Sequence, residues 1–218
     1  GDRSRGLGDV YKRQEQNGEV AVDTETSSLD PHNTDLIGIS LSTKIGKACY
    51  IPIGHKTKKN IDKDKVLKKL KPLLEDSSIK KIGQNIKFDF IVLYKNGIDI
   101  TSIEDTMLMS YVLDAGKNRH NMDTLSEIHL NHKTVAFKDV VGSGKKEINF
   151  SQVDIEKAKD YAAEDADITL RLYKKFFKSL KEENMLNIYE IFEKPMIKIL
   201  AFMEIQGIKT VSYTHLTL

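Results

Sequence analysis

From Val153 to about Glu182 the spacing predicts one long amphipathic helix, and its apolar stripe is interrupted by a carboxylate. Ala158, Ala162, Asp165, Thr169, Leu172 and Phe176 recur at the three-and-four spacing of a core-facing surface. An unpaired carboxylate is expensive to bury, so Asp165 must be hydrogen-bonded, ion-paired or in contact with a cation. Tyr161 lies one turn earlier on the same side, within reach of the same place. The pattern returns over Asn85 to Asn96, a predicted helix with Gly97 as its C-cap, where Asp89 sits in the stripe of Ile86, Phe90 and Leu93. It returns again in Glu19 to Glu25, whose period of two predicts a strand with Val20 and Val22 on one face and Ala21, Asp23 and Glu25 on the other. Three separate elements therefore aim acid at an interior surface.

The remaining periodicities place these elements in one layered domain. Leu36 to Ser42 and Lys47 to Ile53 read as two further strands joined by hairpin-like turns. Asp64 to Glu75 reads as a helix and Ile79 to Gln84 as a strand. Helical runs are predicted at Glu104 to Leu113 and Met122 to Leu130, then a polar loop region through about Asn149, and a further helical pattern from Met185 to Gly207. A meander of strands followed by alternating helices and strands predicts an α/β fold with a mixed sheet and flanking helices. The 218 residues, 39% hydrophobic, suffice for one such core. Lysine recurs from Lys56 to Lys71, which reads as a solvated helix face and loop before it reads as a phosphate-steering patch.

Charge and cysteine usage limit what the acids can be for. Against 34 Lys and Arg stand 32 Asp and Glu, so no global basic field draws in nucleic acid and any such affinity must be local. The single Cys49 excludes an internal disulfide and a cysteine-based zinc cluster, and suits a reducing, cytoplasmic setting. No apolar run approaches the roughly 18 residues of a membrane-spanning helix, and no charged-then-apolar leader is present. Taken singly, an Asp at a strand end or on a helix is a cap, an ion-pair partner or a solvated side chain. Gathered together, Asp23, Glu25, Asp89 and Asp165 would repel one another unless divalent cations neutralise them. All-oxygen ligation favours a hard ion, Mg²⁺ or Mn²⁺, over zinc.

Asp23-Thr24-Glu25-Thr26, Gln84-Asn85-Ile86-Lys87-Phe88-Asp89 and Tyr161-Ala162-Ala163-Glu164-Asp165 resemble the three motifs of the DEDD exonucleases, in the form with a tyrosine in the third. The similarity is to the proofreading domain of bacterial DNA polymerase I. It includes the stretch Arg119 to Leu125 and the connection through Phe137, while Met185 to Thr210 is similar to the first helix of the polymerase domain that follows. The resemblance implies an RNase H-like (DnaQ-like exonuclease) fold that brings four acids around two divalent ions. It implies that Asp23, Glu25 and Asp165 hold the ion on the nucleophile side, that Asp23 bridges to a second ion near Asp89, and that Tyr161 orients the attacking water. Leu29 and Phe137 match positions that wedge against or stack on terminal bases, and Gln84, Asn85 and Arg119 match positions near sugars and phosphates. Phe88 stands where the family often has tyrosine, a departure that bears on a hydroxyl contact beside Asp89 and removes no metal ligand.

The implied activity is 3′-5′ hydrolysis of single-stranded or frayed DNA ends by a monomeric bacterial protein. Two rivals are an RNase D-like exoribonuclease, which shares the acids and the tyrosine, and a catalytically inert DNA-binding module. Both chain ends stand apart. Read as codons, Asp9 to Gln14 can be GAT GTG TAT AAG AGA CAG, whose reverse complement in a shifted frame encodes Val211 to His215. Residues 1–14 and 211–218 are therefore expected to be non-native, leaving 15–183 as the exonuclease domain and 184–210 as a truncated start of the polymerase domain.

Overall fold

The structure, a computed structural model, describes residues 18–56 and 60–207. The suspected non-native segments 1–14 and 211–218 lie outside the described residues. Five strands form one sheet: β1 (Glu19–Thr26), β2 (Leu36–Lys44), β3 (Lys47–Pro52), β4 (Lys80–Gly83) and β5 (Ile103–Asp105). Their order is β3-β2-β1-β4-β5, antiparallel from β1 to β3 and parallel from β1 through β4 to β5. Short turns permit the antiparallel meander, whereas each parallel step requires a helical crossover. Helix α1 (Lys63–Leu74) leads into β4, and α2 (Ile86–Lys95) leads into β5. The expected mixed sheet with flanking helices is the observed architecture.

The period-two alternation of β1 is resolved as two separate cores. Val20 and Val22 join β2, α1 and α2 in one cluster, whereas Ala21 faces the other with α3 (Thr106–Asp114), α4 (Met122–Leu130) and the long α6 (Ile155–Glu182). All six members of the α6 stripe are buried, Asp165 among them. Asp154 caps this helix by accepting from Glu156 N at 3.0 Å. After α2 the chain leaves through a Schellman-type turn: Gly97, at φ +82°, donates to Tyr94 O and Ile98 N donates to Leu93 O, both at 3.0 Å.

Two expectations are corrected. Glu104 does not begin a helix; Ile103–Asp105 is the edge strand β5, and Asp105 caps α3 by accepting from Met107 N at 2.9 Å. The polar region through Asn149 is not all loop, because it contains α5 (Phe137–Val141) and a 3₁₀ turn at Gly144–Lys146. A second 3₁₀ turn, Phe150–Gln152, follows it. Beyond α6 comes α7 (Leu186–Ile188), which continues through a π-helical stretch, Tyr189–Glu193, into α8 (Lys194–Gln206). Among the described residues no helix is long and apolar enough to cross a membrane.

Candidate active site

The acids meet where β1 ends. Asp23 and Glu25 share one face of the strand and meet Asp165 of α6, so that one carboxylate oxygen from each lies within 4.8 Å of the others. Thr24 points the opposite way, toward α2. Its N–H and its hydroxyl both donate to Oδ1 of Asp89, at 2.9 and 2.6 Å. Asp89 thus arrives from the other helical layer and is held by the residue between the two strand acids. Glu25, Asp89 and Asp165 are buried, while Asp23 is partly open.

Such a cluster is under electrostatic strain. Burial pushes the Asp23 carboxyl up from 3.8 to about 6. Burial also raises Glu25, Asp89 and Asp165 well above the carboxylate range, and the negative charge of Asp23 adds to the shift of all three. Asp23 is therefore the common neighbour of the group. Tyr161 interacts with Asp165 and holds its carboxyl down, while burial and the surrounding acids keep the phenol protonated far above its ordinary range. Glu25 Oε1 is buried without a hydrogen-bond partner. Repelling carboxylates with an unsatisfied, inward-facing oxygen and no cysteine or histidine among them fit hard divalent cations.

A groove of about 710 Å³ opens over the acids, lined in part by Ser27, Leu29, Gln84, Asn85, Phe137 and Phe150. Leu29 is 91% exposed on the loop after β1. Phe137 at the start of α5 is half-exposed and stacks parallel to Phe150, with ring centroids 6.2 Å apart. Tyr161 meets both rings, at 5.9 and 6.1 Å. Asn149 Nδ2 donates to Ser27 O at 2.7 Å, tying the segment before Phe150 to the loop that carries Leu29. Gln84 lines the groove but is committed to the protein, since its Nε2 donates to His120 O at 2.7 Å and its Oε1 accepts from the Thr106 hydroxyl. Asn85 is exposed in a left-handed conformation, φ +59°. Arg119 is exposed in the segment between α3 and α4 and is not among the residues lining the groove.

Sequence reasoning missed three contributors. Thr24 anchors Asp89, but nothing in a lone threonine announces a partner 65 positions away. Phe150 completes the aromatic cluster from a turn too short to show periodicity. Asp105 accepts from the N–H groups of Asn85 and Ile86, both at 3.0 Å, as well as capping α3, and so fixes the turn that starts α2. Burial raises its carboxyl to about 6, although four backbone N–H groups oppose the shift.

A family model described as 3′-5′ exonuclease matches residues 2–181. DNA polymerase I of Rhizobium leguminosarum is 44% identical over 212 residues, covering 88% of this chain and 21% of that protein. The chain thus spans about a fifth of that relative's length. Among solved structures, the POL domain of Pol1 from M. smegmatis in complex with DNA primer-template and dNTP superposes with a TM-score of 0.73 at 17% identity, covering 95% of this chain and 32% of that one. Brucella melitensis NrnC with bound Mg²⁺ superposes with a TM-score of 0.66 at 24% identity, covering 91% and 92%.

Proposed function

The chain belongs to the 3′-5′ exonuclease family of DNA polymerase I, and from that premise we propose that its groove receives a single-stranded or frayed 3′ end of DNA and releases nucleoside monophosphates from it. The observation that carries this reading is the meeting of Asp23, Glu25 and Asp165 at the groove floor, with Asp89 beside Asp23 from the opposite layer. Asp23, Glu25 and Asp165 would hold one divalent ion, and Asp23 with Asp89 a second, Mg²⁺ or Mn²⁺ in each case. Bound there, the ions would supply hydroxide near neutral pH and stabilise charge on the attacking and leaving oxygens.

The protein's own part is orientation. Tyr161, fully protonated, offers its hydroxyl as a donor or acceptor beside Asp165 and aligns the attacking water instead of removing its proton. Thr24 fixes Asp89 so that it cannot swing away. The exposed edges of Leu29 and Phe137 offer apolar surface to terminal bases, a contact that tolerates any nucleotide. Asn85 presents its side chain to the sugar-phosphate strand, Gln84 braces the groove from behind, and Arg119 clamps a phosphate further along. The wider reading is a proofreading module of a longer, cytoplasmic bacterial polymerase, with 184–210 as the start of its polymerase domain. The test is digestion of 3′- and 5′-labelled DNA and RNA oligomers in Mg²⁺. Stepwise loss from the 3′ end of DNA is expected; preference for RNA would move the reading to an exoribonuclease, and no digestion of either would leave only a binding module.

A further inference from the structure

Tyr189 is fully buried in the π-helical stretch that joins α7 to α8, yet its hydroxyl has two polar partners. It donates to Glu104 Oε2 at 3.0 Å and accepts from Asp105 N at 2.9 Å. The other oxygen of Glu104 is held by Lys194 Nζ at 2.7 Å, and Lys194 is also bonded to Glu190 at 2.9 Å. Tyr189 and Lys194, the latter braced by Glu190, thus grip the end of β5 from the segment that follows α6. A π turn is uncommon and widens the helix locally, and such turns are frequent at functional sites.

What β5 does with that grip is visible one residue on. The carboxylate of Asp105 receives the N–H groups of Asn85 and Ile86, and these two residues make the turn between β4 and α2. Asn85 holds a left-handed backbone there, a conformation that asparagine tolerates better than most side chains. Space is tight as well, because a Cβ on the preceding Gly83 would come within 2.7 Å of the Ile86 side chain. The turn sets the start of α2, and Asp89 is one helical turn along it.

We propose that Tyr189 is a positioning residue for the nuclease centre, acting through Asp105 on the Asn85–Ile86 turn and hence on Asn85 and Asp89. The helical stretch after α6 is then part of the working nuclease and not a passive exit toward whatever follows. The proposal rests on the functional reading above for its effect on turnover, but not for its effect on the turn.

The variant is Tyr189→Phe in the 218-residue chain, which keeps the buried ring and removes the hydroxyl. A comparison variant, Ile51→Val, trims a buried residue of β3 remote from this network. Amide hydrogen exchange at Asn85 and Ile86 should quicken about fivefold or more in Tyr189→Phe and stay at the parent rate in Ile51→Val. On a single-stranded DNA oligomer in Mg²⁺, kcat should fall by a similar factor in Tyr189→Phe alone, at matched loss of Tm. Parent-like exchange at those two amides, or a kcat loss shared equally by Ile51→Val, would overturn the proposal. If the parent chain cleaves no DNA, the functional reading fails, and the exchange measurement alone decides the role of Tyr189.

Discussion

Replacing Asp23 by Asn should stabilise the metal-free protein at alkaline pH. The folded carboxyl titrates near 6 against an ordinary value of 3.8, a difference of about two units. At about 1.4 kcal/mol per unit, ionising Asp23 inside the fold costs roughly 3 kcal/mol more than ionising it in the unfolded chain. The sign follows from which state holds the proton more tightly. Below pH about 4 both states are protonated and the cost is absent; it grows as pH rises through about 6 and is complete above that. Asp23→Asn removes the cost and also relieves Glu25, Asp89 and Asp165, whose carboxyls its charge pushes up. For a domain of this length each kcal/mol is worth about 2–4 °C in Tm, so a gain of about 6–12 °C at pH 8 in chelator is expected. At pH 4 the two melting curves should nearly coincide. Mg²⁺ should raise the Tm of the parent more than that of Asp23→Asn, because it binds the folded state through the acid removed. Thermal melts followed by circular dichroism at the two pH values, with and without Mg²⁺, give all four quantities. A variant less stable than the parent by the same margin at pH 4 and pH 8 would refute the picture of mutually repelling acids.

Three further outcomes are expected. Asp165→Ala should lose DNA hydrolysis by at least about 10³-fold while keeping a cooperative melt, since truncating a strained carboxylate does not empty an apolar core; a labelled-primer assay showing parental rates would sink the assignment of the acids. Ca²⁺ should bind, seen as a rise in Tm, yet support far slower digestion than Mg²⁺, because its looser and more variable shell positions the water poorly; comparable rates in the two ions would contradict the reading. Gly38→Ala should destabilise by about 1–3 kcal/mol in denaturant melts, because an added Cβ would fall 2.2 Å from the Tyr50 ring carbon and hydroxyl, and a native-like midpoint would show that the ring moves aside freely.

What was legible in the sequence is what repeats. Asp165 and Asp89 stood out because each interrupts a helical stripe long enough to fix its own phase, and both stripes are buried as their spacing requires. Asp23 and Glu25 followed from strict alternation in β1. Elements shorter than two periods carry too little phase to be told apart, which is why Glu104 and Asp105 of β5 read as the start of a helix and the five residues of α5 as loop. Asp105 was hidden for a further reason. Its partners at Asn85 and Ile86 are backbone groups, and a backbone N–H leaves no trace in residue identity. Gln84 illustrates the converse, where a side chain placed near the substrate by motif is already spent on His120 and Thr106.

The position of the strained acids within the fold explains how a marginally stable domain tolerates them. They gather at one end of β1, where the strand pairing with β2 shifts register between Glu25 and Thr26. Behind them β1 carries Val20, Ala21 and Val22, all fully buried, into two separate cores. Repulsion at the strand end therefore acts on a segment anchored from both faces, and opening it would cost apolar burial on each side. The same arrangement lets acids from opposite helical layers reach one place, since neighbouring residues of a strand point to opposite faces. Asp23 and Glu25 take one face and Thr24 the other, where it seizes Asp89. A helix alone could not do this with three consecutive residues, because successive side chains on it diverge by about 100°. The strand end is thus a place where both layers contribute carboxylates while the cores behind it stay closed.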